Sequence, residues 1–229
     1  MSRFTPKFLV PLLLAAAPAI AAAGAPYLDQ RHVEPVRGDA AAGATKAAVC
    51  VACHGPNGNA IVPAFPKLAG QRAEYIHDEL LKFKRGTRPD SPMTALAMPL
   101  TDEDIGNLAV YFAAQTRQAS PQPAPDTAVL LRGEALYAHG EPERGAPPCQ
   151  GCHGADANGP AAGPDHYRAW PSLRGQNGEY LVQRLKNYRD GKLADSSNDF
   201  IMHGVARTLD DASIQALAAY LSSLPPTAP

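Results

Sequence analysis

The sequence is poor in aromatic residues and in cysteine, and neither sign of charge dominates it. Aromatic residues make up 7% of the 229 positions, and only four residues are cysteine. The 21 basic and 22 acidic residues leave a net charge of −1, so binding to nucleic acid through a strong positive field is not expected. The 23 prolines and 19 glycines are too scattered for a collagen repeat and too well mixed with apolar residues for disorder. The chain is therefore expected to be globular, and its length favours two domains of about 100 residues.

The first 23 residues have the pattern of a secretory signal peptide. Arg3 and Lys7 precede an apolar run over residues 8–23, and Ala21–Ala23 supplies the small residues of a cleavage site. The run is shorter than the roughly 20 residues of a membrane-spanning helix, and no later stretch is long and apolar enough to span a bilayer. We predict cleavage after about Ala23 and export to a bacterial periplasm. The alternative is an uncleaved membrane anchor.

The rest of the chain is a tandem repeat of one domain, because five segments recur in the same order in both halves. The matched pairs are Arg37–Ala40 with Arg132–Ala135, Cys50–His54 with Cys149–His153, Phe65–Gln71 with Trp170–Gln176, Glu74–Gly86 with Glu179–Gly191, and Met93–Ile105 with Met202–Ile214. The predicted domains are residues 24–118 and 127–229. The Pro-rich linker between them, residues 119–126, favours an extended spacer that holds the domains in a fixed orientation.

Apolar residues recur with helical spacing in both copies. The first copy has the stripe Ile105, Leu108, Ala109 and Phe112, and the second has Ile214, Leu217, Ala218 and Leu221. Thr101 and Asp104 predict a cap at the start of the first of these helices, and Asp210 predicts one in the second copy. Further helices are expected over residues 38–53, 72–84 and 177–189. No segment alternates as a strand does, so the predicted fold class is all-α.

The four cysteines form two identical Cys-x-x-Cys-His motifs, which is the attachment pattern of c-type haem. Cys50 and Cys53, like Cys149 and Cys152, supply two thiols for thioether bonds to the porphyrin vinyl groups. His54 and His153 follow directly and can place an imidazole under the iron. Structural zinc, a redox-active disulfide and structural disulfides are the alternatives. Zinc pairs are normally about 15–20 residues apart and a redox disulfide is expected in a βαβ context, whereas structural disulfides would not explain the histidines. Two covalent haem groups are predicted, and their burial would compensate for the small aromatic core.

The candidates for the sixth iron ligand are Met93 and Met202, which occupy matching repeat positions. Ordinary core filling is the other interpretation of both side chains. Met98 has no methionine counterpart in the second copy and is expected to pack in the core or at its rim. His203, beside Met202, is a competing ligand. Methionine opposite each motif histidine would fill both axial positions of the iron, which favours electron transfer over catalysis.

Two prolines are candidates for orienting the motif histidines. A metal-ligating histidine usually donates its other ring N–H to a fixed acceptor. Pro66 and Pro171 stand at equal repeat positions, each after an aromatic residue, and either could present a carbonyl oxygen for this purpose. The alternative is that both are simply loop prolines.

These segments resemble the cytochrome c4 family over nearly all of residues 37–224. The resemblance implies two class I cytochrome c domains in a pseudo-twofold pair, with covalent haem on both cysteine pairs and with His54, Met93, His153 and Met202 as iron ligands. It also implies electron transfer from quinol-oxidising respiratory components to a haem–copper terminal oxidase, often with association at the membrane. The second half departs from the pattern in additional residues near 141–148, 163–168 and 195–199.

Three functions are therefore weighed. The leading one is a periplasmic dihaem electron carrier that exchanges electrons with donor and acceptor proteins, including membrane respiratory complexes, and is not an enzyme. The second is a cytochrome subunit of a periplasmic dehydrogenase or reductase, and the third is a haem enzyme with an open iron position. A basic cluster, Lys82, Lys84, Arg85 and Arg88, is interpreted either as a docking surface for an acidic partner or as a solvated helix face.

Overall fold

The computed structural model describes Met1 and residues 27–88, 91–120, 125–160 and 165–226. The predicted signal peptide, apart from Met1, lies outside the described residues. Across the described ranges the structure contains ten α-helices and no β-strand, only two isolated β-bridges, which confirms the all-α class. None of the helices in these ranges is long and apolar enough to cross a membrane.

Each half of the chain contributes five helices. Those of the first half are α1 (Ala40–Lys46), α2 (Val51–His54), α3 (Ala73–Lys84), α4 (Pro92–Ala97) and α5 (Asp102–Ala113). Those of the second half are α6 (Thr127–His139), α7 (Gln150–His153), α8 (Gly178–Arg189), α9 (Ser197–Ala206) and α10 (Asp211–Ser223). The predicted helix over 38–53 is wrong as a continuous helix, because a 3₁₀ turn over Ala47–Cys50 separates α1 from α2. Small apolar residues are compatible with both forms and do not mark the break.

The predicted caps are present where the sequence places them. The Thr101 side chain accepts a hydrogen bond from the backbone N–H of Asp104, and the Asp104 carboxylate accepts one from the backbone N–H of Thr101, each at 3.0 Å. Asp210 likewise accepts from the backbone N–H of Ser213 at 2.7 Å. These bonds satisfy N–H groups that the first helical turn leaves unpaired. The two predicted apolar stripes are buried, so α5 and α10 each face the core of their own half.

In each half the first helix crosses the last helix at a glycine. A Cβ atom at Gly43 would lie 2.2 Å from the carbonyl oxygen of Asn107, and one at Gly133 would lie 2.1 Å from that of Ala216. Asn107 and Ala216 stand fourteen residues after Met93 and Met202 respectively, so Gly43 and Gly133 occupy equivalent places. The sequence match of Gly38 with Gly133 is therefore wrong, because the two share a local Arg-Gly pattern but not a packing partner.

Candidate haem-binding sites

The first Cys-x-x-Cys-His motif ends in a buried histidine held by a backbone carbonyl. His54 is the last residue of α2 and is 6% exposed. Helix α2 stops there because Gly55 adopts a φ of 72°, which favours glycine. The Nδ1 atom of His54 lies 2.9 Å from the carbonyl oxygen of Pro66. Since a carbonyl only accepts, Nδ1 carries the proton and Nε2 presents its lone pair, as an axial iron ligand must.

The second motif repeats this arrangement. His153 ends α7 and is 7% exposed, and Gly154 follows with a φ of 81°. The Nδ1 atom of His153 lies 3.0 Å from the carbonyl oxygen of Pro171. The contact expected from the sequence is thus present at both prolines.

The electrostatics of both motifs fit ligands of a haem iron. Burial lowers the pKa of His54 and of His153, against a smaller opposing effect of the proline carbonyls. Both imidazoles are therefore neutral at pH 7, and a neutral imidazole is the form that binds a metal. The four cysteines are free thiols, which is the form that thioether attachment requires.

Three of the thiols do not have the character of reactive or metal-binding thiolates. Burial raises the pKa of Cys149 to about 11 and also raises the pKa of Cys50 and of Cys152. Catalytic and redox-active cysteines have a lowered pKa instead. The described residues also contain no group of three or more His, Cys, Asp or Glu side chains arranged to hold a metal ion. These properties favour haem over the zinc and redox-disulfide alternatives.

The two candidate methionines lie on corresponding helices, α4 and α9. Met93 is half-buried near the start of α4. Met202, also half-buried, packs in the middle of α9 against a small cluster of Tyr188, Leu193 and Ala206. Neither helix was expected as such from the sequence. The capping serines Ser91 and Ser196, each directly before its helix, are the signals that could have revealed them.

The other candidates have different surroundings. Met98 is 61% exposed, so it lies at the surface and not in the core. The Nδ1 atom of His203 lies 2.7 Å from the carbonyl oxygen of Tyr188, and its ring lies beside Gly191 at the end of α8. Successive residues of a helix point about 100° apart, so His203 and Met202 face different parts of the second domain.

Two residues of the basic cluster belong neither to a docking surface nor to a solvated helix face, so both interpretations are wrong for them. Lys82 and Arg88 are only 3% and 6% exposed, and both bind Glu79. Lys84 and Arg85 remain accessible, and Lys84 pairs with the exposed Asp102 at 2.7 Å. The helix pattern around Lys82 does not distinguish a solvated lysine from one buried against a second domain.

Two repeated all-helical domains, each with a Cys-x-x-Cys-His motif and a carbonyl-oriented histidine, define a dihaem c-type cytochrome. The chain matches the family Cytochrome c over residues 37–115 and 131–225. It is 43% identical over 192 residues to cytochrome c4 of Thiocapsa roseopersicina, an alignment that covers 83% of this chain and 95% of that protein. The chain therefore belongs to the cytochrome c4 family.

Two further similarities bear on the structure and the partners. The crystal structure of reduced recombinant cytochrome c4 from Pseudomonas stutzeri superimposes with a TM-score of 0.71 at 36% identity, covering 82% of this chain and all of that one. A thiosulfate dehydrogenase electron acceptor of Thiomonas intermedia (strain K12) is 34% identical over 186 residues, which cover 81% of this chain and 82% of that protein. The chain is thus an electron-transfer protein and not an enzyme, with two covalently bound haem c groups.

Proposed function

We propose that the chain carries electrons in the bacterial periplasm, with one haem in each of the domains 24–118 and 127–229. Cys50 and Cys53 attach the first haem, and Cys149 and Cys152 attach the second. The haem iron supplies the one-electron redox chemistry when the group is bound. Residues 1–23 act as the export signal, cleaved after about Ala23, and residues 119–126 are the linker. In keeping with this, helix α5 ends at Ala113 and α6 begins at Thr127.

The axial ligands in this proposal are His54 with Met93 and His153 with Met202. The observation that carries it is the duplicated contact of a buried histidine Nδ1 with a proline carbonyl, at 2.9 Å and 3.0 Å. This contact fixes each ring with Nε2 available, and an acceptor of this kind raises the basicity of the ligand. Pro66 and Pro171 act through the histidines and orient them. A histidine and methionine pair on each iron raises the haem potential and leaves no place for a substrate.

The ligands are tested by the spectra of the holoprotein, with haem counted per chain. Met93→Ala and Met202→Ala are each expected to retain two covalent haems and to lose about half of the methionine–ferric iron charge-transfer band, because one of two irons loses its methionine. Met98→Ala is the matched control, since Met98 stands in the same segment as Met93 but is largely exposed. An unchanged band in either ligand variant would rule out that methionine as a ligand.

For the partners, we propose donors on the quinol-oxidising side of respiration and a terminal oxidase as acceptor, with the protein at or near the membrane surface. Periplasmic dehydrogenases are a second candidate donor. The similarity to a thiosulfate dehydrogenase electron acceptor favours this second donor, although at lower identity than to cytochrome c4 of Thiocapsa roseopersicina.

The two candidate donors are distinguished by the rate of haem reduction. The oxidised protein is mixed in turn with a purified quinol-oxidising complex and with a thiosulfate dehydrogenase supplied with thiosulfate. Fast reduction by the first donor alone supports the respiratory role. Fast reduction by the second donor, together with co-purification of the two chains, supports the dehydrogenase role. Both reactions are expected to slow as salt is raised if charge steers the encounter.

A further inference from the structure

The helix that carries Met202 begins inside the protein. Its capping residue Ser196 and the acidic residue Asp199 are fully buried. The Ser196 hydroxyl accepts a hydrogen bond from the backbone N–H of Asp199 at 3.1 Å and donates one to the Asp199 carboxylate at 2.9 Å. Both residues lie near the 195–199 segment, where the second half has additional residues relative to the first. Met202 stands three residues after Asp199, so both side chains lie on one face of α9.

A lysine of the first domain holds this buried carboxylate. The Lys82 ammonium, on α3, lies 2.9 Å from Oδ2 of Asp199 and 3.1 Å from Oδ1. Lys82 also lies 3.2 Å from Glu79, and Glu79 in turn binds Arg184 of the second domain at 2.7 Å. Removing one partner from a buried ion pair leaves an uncompensated charge in the interior. The start of α9 is therefore strongly tied to α3.

The segment before α1 also binds the start of α9. The backbone N–H of Leu28 donates to the Asp195 carbonyl at 2.8 Å, and the N–H of Ser197 donates to the Leu28 carbonyl at 3.1 Å. Gln30 is buried; its backbone N–H donates to the Ser197 hydroxyl at 2.9 Å and its amide donates to Asp78 of α3 at 2.5 Å. Residues 28–30 thus form a strap between α3 and the start of α9.

Within the part of the chain that the structure describes, the corresponding helix of the first domain is held from its own domain, where the Thr94 hydroxyl donates to the Arg88 carbonyl at 3.1 Å. Helix α4 is shorter than α9, and its capping Ser91, which is only half-buried, accepts from the backbone N–H of Met93 at 3.2 Å. In the described ranges no salt bridge connects α4 to the second domain. The two methionine-bearing helices therefore differ in how they are anchored.

We propose that the first domain positions the axial methionine of the second haem, through Lys82 on Asp199 and through the strap at residues 28–30. The inference rests on the proposed ligation by Met202. Lys82 and Asp199 are positioning residues, because they act on the iron through α9. The coordination and potential of the second haem consequently depend on the contact between the domains, whereas those of the first haem do not depend on this ion pair.

The test replaces Lys82 by Met in the full-length holoprotein. The charge-transfer band of the oxidised Lys82→Met protein is expected to fall to about half of its wild-type amplitude as the pH or the urea concentration is raised, under conditions in which the wild type keeps both methionine ligands. Of the two midpoint potentials, that of the second haem is expected to fall and that of the first haem to stay at its wild-type value. Lys84→Met is the matched control, because Lys84 lies on the same helix but pairs with an exposed aspartate. A Lys82→Met band and potentials equal to those of Lys84→Met would overturn the proposal.

Three further variants separate the proposal from its alternatives. Met202→Ala removes the second haem's share of the charge-transfer band. Adding Lys82→Met to Met202→Ala is expected to leave the remaining band unchanged. A further loss of the band would show an effect on the first haem and contradict the proposal. If Met202→Ala leaves the band intact, the proposed ligation fails instead. If Lys82→Met does not accumulate with two haems, Lys82→Met with Asp199→Asn removes both buried charges and retains the cap. The charge-transfer band of that double variant is expected to fall to about half at a lower pH or urea concentration than in the wild type. A band as resistant as that of the wild type would overturn the proposal.

Discussion

Gln71 and Gln176 make the same pair of hydrogen bonds in opposite directions across the domain boundary. The Gln71 amide donates to the Ser172 carbonyl at 2.9 Å and accepts from the Ser172 N–H at 2.8 Å. The Gln176 amide donates to the Lys67 carbonyl at 3.0 Å and accepts from the Lys67 N–H at 2.8 Å. Lys67 and Ser172 are themselves repeat equivalents. The two domains therefore meet as a homodimer does across a twofold axis.

Either glutamine is expected to be costly to replace. Gln71→Met and Gln176→Met each leave one carbonyl and two backbone N–H groups without a partner, because each glutamine oxygen also accepts from the N–H of the next residue, Arg72 or Asn177. The free energy of unfolding should fall by about 1–3 kcal/mol for each buried group left unpaired. Because the contacts are symmetric, the two losses should be similar. Urea unfolding of the holoproteins measures them, with Gln183→Met as a control on the exposed face of α8. Wild-type stability in either variant would mean that its hydrogen bonds are not formed in solution.

The sequence reveals most of each domain and little of the boundary between them. The stripes that end in Phe112 and Leu221, and the Thr101 cap, follow from contacts within a few residues of one another, which periodicity and capping patterns record. The motif histidines are recognised because haem attachment imposes a fixed local spacing. The ion pair of Lys82 with Asp199 joins residues 117 positions apart, and no local pattern distinguishes this lysine from its exposed neighbours.

The repeat itself contains a signal of the domain interface, in two glutamines at equivalent positions. Gln71 and Gln176 end the matched segments Phe65–Gln71 and Trp170–Gln176, and both are buried. A buried polar side chain at the same place in two domains is explained when each domain supplies the partner of the other. The match of Gly38 with Gly133 fails because a four-residue pattern does not record what each glycine packs against.

The charge on Glu79 should make stability sensitive to acid. Burial alone would raise the pKa of Glu79, but Arg184, Arg88 and Lys82 together hold it well below its ordinary value of 4.5. A carboxylate with a lowered pKa in the folded state stabilises the fold above its unfolded pKa, and this contribution is lost as the pH falls. Glu79→Gln should cost about 3–5 kcal/mol near neutral pH, because it leaves buried cations unpaired.

The difference between wild type and Glu79→Gln should then shrink as the pH is lowered through and below 4.5. Urea unfolding of both proteins at a series of pH values measures this difference. Glu103→Gln, at an exposed position of α5, is the control and should differ little from wild type throughout. A difference that stays constant with pH would show that the pKa of Glu79 is the same in the folded and the unfolded protein.

Lys67 should make stability depend on pH in the alkaline range. Burial, with a contribution from the nearby Arg117, lowers the pKa of Lys67 from 10.5 to about 8. Between these values the unfolded chain binds more protons than the folded one, so this group makes stability rise with pH. Lys67→Met should abolish that rise, and the free energy of unfolding of wild type minus that of the variant should increase from about pH 8 to pH 10.5. Lys192→Met, at an exposed position, is the control; a flat difference for Lys67→Met would contradict the lowered pKa.

The crossing glycines Gly43 and Gly133 are expected to be intolerant of a single added methyl group. A Cβ at Gly43 would also lie 2.7 Å from the Cβ of Tyr111, and one at Gly133 would lie 2.6 Å from that of Tyr220. The clashing carbonyl and Cβ atoms cannot move away from the added methyl group unless the two helices separate. The helical preference of alanine gains about 0.5–1 kcal/mol, but overpacking costs about 1–3 kcal/mol and more where backbone atoms collide.

Gly43→Ala and Gly133→Ala should therefore each lower the free energy of unfolding, the first by separating α1 from α5 and the second by separating α6 from α10. Gly204→Ala is the matched control, because a Cβ at Gly204 of α9 meets no atom within 4 Å and should instead stabilise by about 0.5–1 kcal/mol. Thermal unfolding of the holoproteins gives the sign for all three variants. If Gly43→Ala were stabilised as Gly204→Ala is, α1 and α5 could not be in backbone contact, and the equivalence of Gly43 with Gly133 would fail with it.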